Sequence, residues 1–317
     1  MPRKSLGQNL IVATWNLRDF GRKKGSGFNP QNRLGESFYY IAEIMNRFDI
    51  IAVQEVNENL YDLERLMDVL GKQYRYLATD ICEGAAGNDE RVVFIYDTRK
   101  VSFRNIAGEI VLPNSGKYAG IQFARTPYIV SFQCGWFKFD LCSTHLYYGQ
   151  ASGEKYERRV REIQLFSQFM TERAVRTGAN TFILGDFNVV GPNDPTWDAL
   201  YAGKFTVPES IKGIATNVDE SKHYDQIAFH SVRNEVSIAT NDNGRESAGT
   251  FRIFDHVFDQ EGDYTDLAKN VNGDFRKWST WQMSDHMPLW IELKTDFADA
   301  YLGGLKNGVA TFPQSEA

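Results

Sequence analysis

Short, uniformly apolar runs alternate with stretches of helical period along this chain. Residues 10–15 (Leu-Ile-Val-Ala-Thr-Trp), 49–55 (Asp-Ile-Ile-Ala-Val-Gln-Glu) and 181–184 (Thr-Phe-Ile-Leu) are too short for helices and too apolar for half-exposed strands. They predict buried core strands. Residues 74–79, 91–96, 128–134, 137–145, 224–229 and 287–293 predict further strands, with 128–134 and 137–145 joined as a hairpin around Gly135. Phe38, Ile41, Ile44, Met45 and Phe48 recur at helical spacing, and Asn29-Pro30 ahead of them is a helix-start signal. Leu60, Leu63, Leu66, Met67 and Leu70 predict a second helix closed by Gly71. A long helix is expected over 154–176, with Tyr156, Val160, Ile163, Phe166, Met170 and Ala174 facing inward. Residues 241–250 are polar and contain glycine, and are expected to form a loop. Hairpins mixed with helical crossovers favour an α/β layered sandwich over a doubly wound parallel sheet. No linker divides the chain, so residues 1–295 are expected to form one domain and 296–317 a weakly anchored tail.

The chemistry sits where these strands end. The apolar runs stop at Asn16, Glu55, His145, Asp186 with Asn188, and Asp285 with His286. In extended backbone, positions i and i+2 face the same side, so Asp186 and Asn188 should address one spot. Leaving two such groups buried without partners costs roughly 1–3 kcal/mol each, so water, a metal or a substrate should satisfy them. Taken singly, each residue has an ordinary reading: a turn for Asn16 and for Gly185-Asp186, a helix cap for Glu55, a satisfied core ring for His145. The recurrence at successive strand ends points instead to one shared site on a rigid scaffold.

Composition narrows the class. The 317 residues are 42% hydrophobic and 24% charged, as in soluble globular proteins. A net charge of −6 argues against wholesale attraction to nucleic acid and leaves room for a local basic patch. The loop over 18–33 is such a patch, with Arg18, Arg22, Lys23, Lys24 and Arg33 against Asp19. Cys82, Cys134 and Cys142 are sparse and odd in number, which suits buried free thiols in a reducing compartment. With no signal-peptide core and no apolar span, the expected location is the cytoplasm, without stable membrane association.

Six short segments then occur in a telling order: Thr14-Trp15-Asn16-Leu17-Arg18, Val53-Gln54-Glu55-Val56, Thr144-His145-Leu146, Leu184-Gly185-Asp186-Phe187-Asn188, Tyr224-Asp225-Gln226-Ile227 and Ser284-Asp285-His286-Met287-Pro288. The set resembles the endonuclease/exonuclease/phosphatase superfamily, and within it the pancreatic-type deoxyribonucleases. Glu90-Arg91 and Arg125-Thr126-Pro127 are similar to two further segments of that branch. The resemblance implies a four-layer sandwich, two packed mixed β-sheets flanked by helices. It implies a divalent-metal-dependent phosphodiesterase with Mg²⁺ as the expected cofactor and Mn²⁺ or Ca²⁺ as substitutes.

A hard cation with oxygen ligands suits Glu55 as first ligand, with Asn16 and Asp285 positioning the ion. The resemblance makes Asp186 the residue that orients or deprotonates water, Asn188 a donor to phosphate, and Asp225 the partner that keeps His286 protonated. His145 with Glu90 is expected to act likewise on the other side. Arg18, Lys23, Lys24 and Arg125 are the expected substrate contacts. The implied substrate is double-stranded DNA, cut with little sequence preference by a monomer. Abasic-site endonucleases, lipid or inositol-phosphate enzymes and an inactive binding relative are the alternatives. The aromatic-rich stretch 244–281 is expected to be mostly core rather than a membrane-contact hairpin.

Overall fold

A computed structural model describes residues 1–21, 33–82, 89–231, 235–269 and 274–296, together with Leu302 and Lys306. The strands are β1 (Asn9–Phe20), β2 (Ile50–Asn57), β3 (Tyr74–Ala78), β4 (Glu90–Asp97), β5 (Ser102–Glu109), β6 (Tyr128–Cys134), β7 (Phe137–His145), β8 (Thr181–Asp186), β9 (Asp225–His230), β10 (Ala248–Thr250) and β11 (Leu289–Lys294). The helices are α1 (Gly35–Met45), α2 (Tyr61–Leu70), α3 (Glu154–Thr177), α4 (Pro195–Tyr201), α5 (Thr265–Ala268) and α6 (Phe275–Gln282). One sheet has six strands in the order β10-β11-β1-β2-β4-β3, the other five in the order β5-β6-β7-β8-β9. Both are mixed: β1 with β2 and β7 with β8 run parallel, and their other pairings are antiparallel.

The period of two in the strands accounts for the layers. Leu10, Val12, Ile50 and Ala52 join Val130, Phe132, Phe139, Leu141 and Leu184 in the core that includes both sheets. The alternate residues Ile11, Ala13, Trp15, Ile51 and Val53 instead meet Phe38 and Ile41 of α1, Leu63 and Leu66 of α2, and Trp278 of α6. On the five-stranded side, Ile163, Phe166 and Met170 of α3 join the core. A strand buried on both faces must be apolar throughout, which is why these runs read without alternation. Gln54 crosses between the sheets, its Nε2 donating to Thr14 Oγ1 at 3.1 Å and to Ser143 Oγ at 2.9 Å.

The expected strands and helices are present, with instructive differences. β1 does not stop at Asn16 but runs on to Phe20, through a register shift that leaves Arg18 and Asp19 at φ 42° and 49°. Stretch 241–250 is not all loop, because 248–250 pair with β11 as a short edge strand. β5 carries mostly exposed side chains, so no apolar pattern announces it. The start signal Asn29-Pro30 lies outside the described residues, and α1 begins at Gly35. Phe258 and Trp278 are buried, and Phe251, Phe254 and Trp281 pack partly buried on the same cluster, as expected of core aromatics. Cys134 and Cys142 are buried free thiols and Cys82 is half-buried. Among the described residues no helix is long and apolar enough to cross a membrane.

Candidate active site

Strand direction brings the polar ends to one edge of the sandwich. The C-terminal ends of the parallel pairs β1/β2 and β7/β8 bring Asn16, Glu55, His145 and Asp186 there. β4 and β9 run the other way, so their first residues, Glu90 and Asp225, arrive at the same edge. His145 is in register with Asp186, and Asp186 with Asp225. The turn before β11 supplies Asp285 and His286.

Local backbone then aims the groups. Glu55 sits at φ 59°, at a break in the β2–β4 register between Val53 and Val56. A non-glycine residue there costs of order 1–3 kcal/mol and persists only where its surroundings hold it. Here Glu55 Oε1 accepts from Asn16 Nδ2 at 2.8 Å and Oε2 from the Asp19 amide at 2.9 Å. Asn188 is also left-handed, at φ 56°, a conformation asparagine tolerates. Its amide donates to Asp186 Oδ1 at 2.9 Å and its Nδ2 to the Leu146 carbonyl at 2.8 Å. Gly185 precedes them at φ 131°, where an added Cβ would lie 2.1 Å from the Thr144 carbonyl oxygen, so no side chain fits.

Asp186 Oδ2 is the meeting point. It accepts from Asn16 Nδ2 at 3.1 Å and lies 3.6 Å from His145 Nε2 and 3.9 Å from His286 Nε2. His286 Nδ1 donates to Asp225 Oδ2 at 2.7 Å. Ser284 fixes the turn, its hydroxyl donating to the Asn16 carbonyl at 2.6 Å and accepting from the His286 amide at 3.0 Å. Across the site, Glu90 Oε1 is 3.2 Å from His145 Nδ1 and is also ion-paired with Arg125 Nε.

The two histidines differ in charge. Burial works against a charged His286, but the touching Asp225 carboxylate, with Asp186 and Asp285 beyond it, outweighs burial and raises the ring to about 10. His145 departs from the expectation of a protonated ring. Burial, then the Arg125 guanidinium, lowers it to about 4. The Asp186 and Glu55 carboxylates pull the other way without outweighing them. At neutral pH the site therefore presents one imidazolium and one neutral imidazole, the kind of split that separates acid from base roles.

Glu55, Glu90 and His145 offer ligand atoms that all lie within 4.8 Å of one another. Two carboxylates and one imidazole form a donor set that fits a divalent cation of the Mg²⁺/Mn²⁺ kind. Glu90 is already ion-paired with Arg125, which leaves Glu55 as the foremost oxygen donor. Asn16 touches that carboxylate directly. Asp285 is not in the cluster; its Oδ2 lies 3.6 Å from Arg18 Nη1.

The expected substrate contacts divide. Arg125 lines the site through Glu90. Arg18 lies with its guanidinium 3.9 Å from the Trp281 ring centre, and its Nη1 donates to Thr280 Oγ1 at 2.6 Å. Lys23 and Lys24 lie outside the described residues. Arg33, from the same basic loop, is turned inward: its Nη2 donates to the carbonyls of Leu17, Arg18 and Met283, and burial lowers it to about 10. It is a structural clamp on the end of β1.

Two buried charges of α3 had no place in the sequence reading. Arg159 Nε donates to the Tyr148 carbonyl at 2.5 Å and Nη2 to that of Gln150 at 2.8 Å. Glu162 Oε1 accepts from the Tyr147 amide at 3.0 Å, and its Oε2 from the Ala124 amide at 3.3 Å. Together they tie down the loop after His145 and the segment before Arg125. A charged pair on the inward face of α3 was the available signal, masked by the other charges around it.

This is the fold of the endonuclease/exonuclease/phosphatase proteins. An endonuclease/exonuclease/phosphatase family protein of Bacteroides thetaiotaomicron superposes with a TM-score of 0.54 at 19% identity, covering 91% of this chain and 98% of that one. A mannosyl-6-phosphatase of the same organism gives 0.54 at 19% identity, covering 90% and 99%. The human Nocturnin catalytic domain gives 0.58 at 13% identity, covering 90% and 94%. Among curated proteins the chain is similar to deoxyribonucleases. It is 31% identical to bovine deoxyribonuclease-1 over 102 residues, 31% of this chain and 33% of that protein. It is 23% identical to a deoxyribonuclease of Thioalkalivibrio sp. over 199 residues, 61% of this chain and 50% of that protein. The match thus spans half or less of these relatives' length. No family model matches the chain.

Proposed function

We propose that this chain is a divalent-metal-dependent phosphodiesterase, and specifically a largely sequence-independent DNA endonuclease. One observation carries the reading: Asp186 lies between a charged and a neutral histidine, each with its own carboxylate partner, beside a carboxylate-rich donor set. A phosphodiester is an anion that resists attack by water. Cleaving it requires an activated nucleophile and compensation for charge developing on the phosphate oxygens. A bound Mg²⁺ supplies Lewis-acid stabilisation of those oxygens, and Glu55 with Asn16 is the pair that would hold it, Asp285 assisting. Asp186 orients the attacking water and takes its proton. Asn188 is held beside it by two hydrogen bonds. His286, kept charged by Asp225, donates to the phosphate. His145, positioned by Glu90 and neutral, can accept a hydrogen bond or a proton at Nε2. Arg125 and Arg18 supply fixed positive charge at the rim, and Lys23 and Lys24 are proposed as further phosphate contacts. By resemblance the products carry a 5′-phosphate and a 3′-hydroxyl.

The test is incubation with supercoiled plasmid and Mg²⁺, with and without chelator, across a salt series. Duplex containing an abasic site, RNA, a sphingomyelin analogue and a sugar phosphate run in parallel. Metal-dependent nicking of plain duplex, weakening as salt rises, is the expected result. Release of inorganic phosphate from the sugar phosphate, or lipid hydrolysis, without nicking would replace this reading by a phosphatase or a lipid phosphodiesterase.

A further inference from the structure

Beside the charged histidine the site carries an aromatic corner that the chemistry above does not use. Tyr224, just before Asp225, lies with its ring 5.6 Å from that of His286, tilted by 31°. Tyr148, three residues after His145, stands nearly perpendicular to Tyr224, at 85° and 6.2 Å. Tyr148 is 48% exposed, yet it is held firmly. The Arg159 guanidinium lies 4.4 Å from its ring centre, and Arg159 Nε holds its carbonyl. The Leu146 and Tyr147 backbone ahead of it is bonded to Asp186, Asn188 and Glu162. A large ring left open to water on a pinned loop gains little for folding. It is instead a flat surface held in advance against Tyr224, which in turn packs on the His286 ring.

We propose that Tyr148, cornered by Tyr224, is a stacking subsite for a nucleobase next to the scissile phosphate. This rests on the polynucleotide-phosphodiesterase reading above. With a guanidinium over its ring, Tyr148 has its π density drawn toward that cation. The opposite face is then better matched to an electron-rich base than an isolated phenol would be. Bases in a duplex are already stacked on one another, so a base reaching Tyr148 must leave the helix. Unpaired stretches should therefore be bound better than continuous duplex. Stacking of this kind tolerates any base, consistent with little sequence preference.

The experiment uses a single-stranded oligonucleotide with Mg²⁺, and two copies in which the nucleotide on the 5′ or the 3′ side of one phosphate is a stable abasic residue. Cleavage at that phosphate is followed on a gel to obtain KM and kcat separately. For the wild-type protein one of the two replacements should raise KM about 10-fold. Tyr148→Ala should raise KM on the intact oligonucleotide by a similar factor and show no further penalty for the abasic copy. Tyr148→Phe, which keeps the ring, should behave as wild type. The proposal is overturned if the wild-type protein cuts all three alike, if it prefers an abasic copy, or if Tyr148→Ala loses kcat equally on all of them. If the wild-type protein cuts none of them while releasing phosphate from a sugar phosphate, the underlying nuclease reading fails first, and this one with it.

Discussion

Replacing Asp225 by asparagine keeps the shape of the side chain and removes its charge, which isolates what that charge does for His286. The Nδ1–Oδ2 contact is 2.7 Å and buried, so the carboxylate is the near cause of the charged ring. His286 sits at about 10 against an ordinary 6.5. At about 1.4 kcal/mol per pKa unit, this is a preference of about 5 kcal/mol for the charged form, as an order of magnitude. Burial opposes the charge. With Asp225→Asn, burial should win and the ring should be neutral at pH 7.

The sign for stability follows from linkage. A histidine raised in the folded state contributes fully below about 6.5 and loses that contribution as pH rises through about 10. The wild-type unfolding midpoint should therefore fall between pH 7 and 10 more steeply than that of Asp225→Asn. Heteronuclear NMR of labelled imidazole should show wild-type His286 still charged at pH 8, and the variant titrating below 6.5. Cleavage at pH 7 should drop by about 10²–10⁴-fold, the usual range for losing a group that donates or accepts a proton. A wild-type His286 that titrates between pH 6 and 7 would refute the reasoning, because the carboxylate would then not control the ring.

Two further outcomes concern groups away from the reacting atoms. Glu162→Ala leaves the Tyr147 amide and that of Ala124 without their acceptor; at about 1–3 kcal/mol for each orphaned group, it should lower the unfolding free energy by a few kcal/mol and reduce kcat. Glu162→Gln keeps one acceptor oxygen, enough for the Tyr147 amide, but sets an NH2 donor against that of Ala124, so it should recover only part of each loss, and equal losses in the two variants would show that the acceptor is not what matters. At the opposite edge of the first sheet, burial opposes ionisation of Asp97, but hydrogen bonds from Arg99 and Lys4 hold its carboxyl well below the usual range. That stability is present above the unfolded pKa near 4 and is lost as pH falls, so Asp97→Asn should cost about 2 kcal/mol at pH 7 and progressively less toward pH 2, read by urea denaturation with activity per folded molecule unchanged.

What the sequence made legible, and what it hid, divides along the range of the interactions involved. Asn16, Glu55, His145, Asp186 and His286 could be picked out because a buried strand must be apolar until it reaches a site. The layer structure could be inferred because both faces of β1 and β2 are covered. The left-handed Glu55 could not, since its register break depends on β4, which lies far along the chain. Arg33 reads as part of a basic DNA-facing loop but is spent on carbonyls at the end of β1. Arg159 and Glu162 look like ordinary solvent-facing charges on a helix rich in them, and only the path of the loop after His145 turns that face inward. The neutrality of His145 is of the same kind: Glu90 beside it suggested a charged ring, but burial, and after it Arg125 from a third segment, lowers the ring.

These long-range contacts leave an electrostatic problem that bears on the chemistry. Glu55, Glu90, Asp186, Asp225 and Asp285 converge on one edge, whereas the positive charge facing them comes from Arg125, His286 and, at the rim, Arg18. Arg125 is committed to Glu90 and His286 to Asp225, which leaves Glu55 and Asp186 with only the neutral Asn16 amide between them. A phosphodiester brought to that edge would meet uncompensated negative charge. A divalent cation on Glu55 would remove the repulsion for substrate and carboxylates together. The same carboxylates that would repel the substrate alone are therefore the physical reason to expect the proposed reaction to need metal.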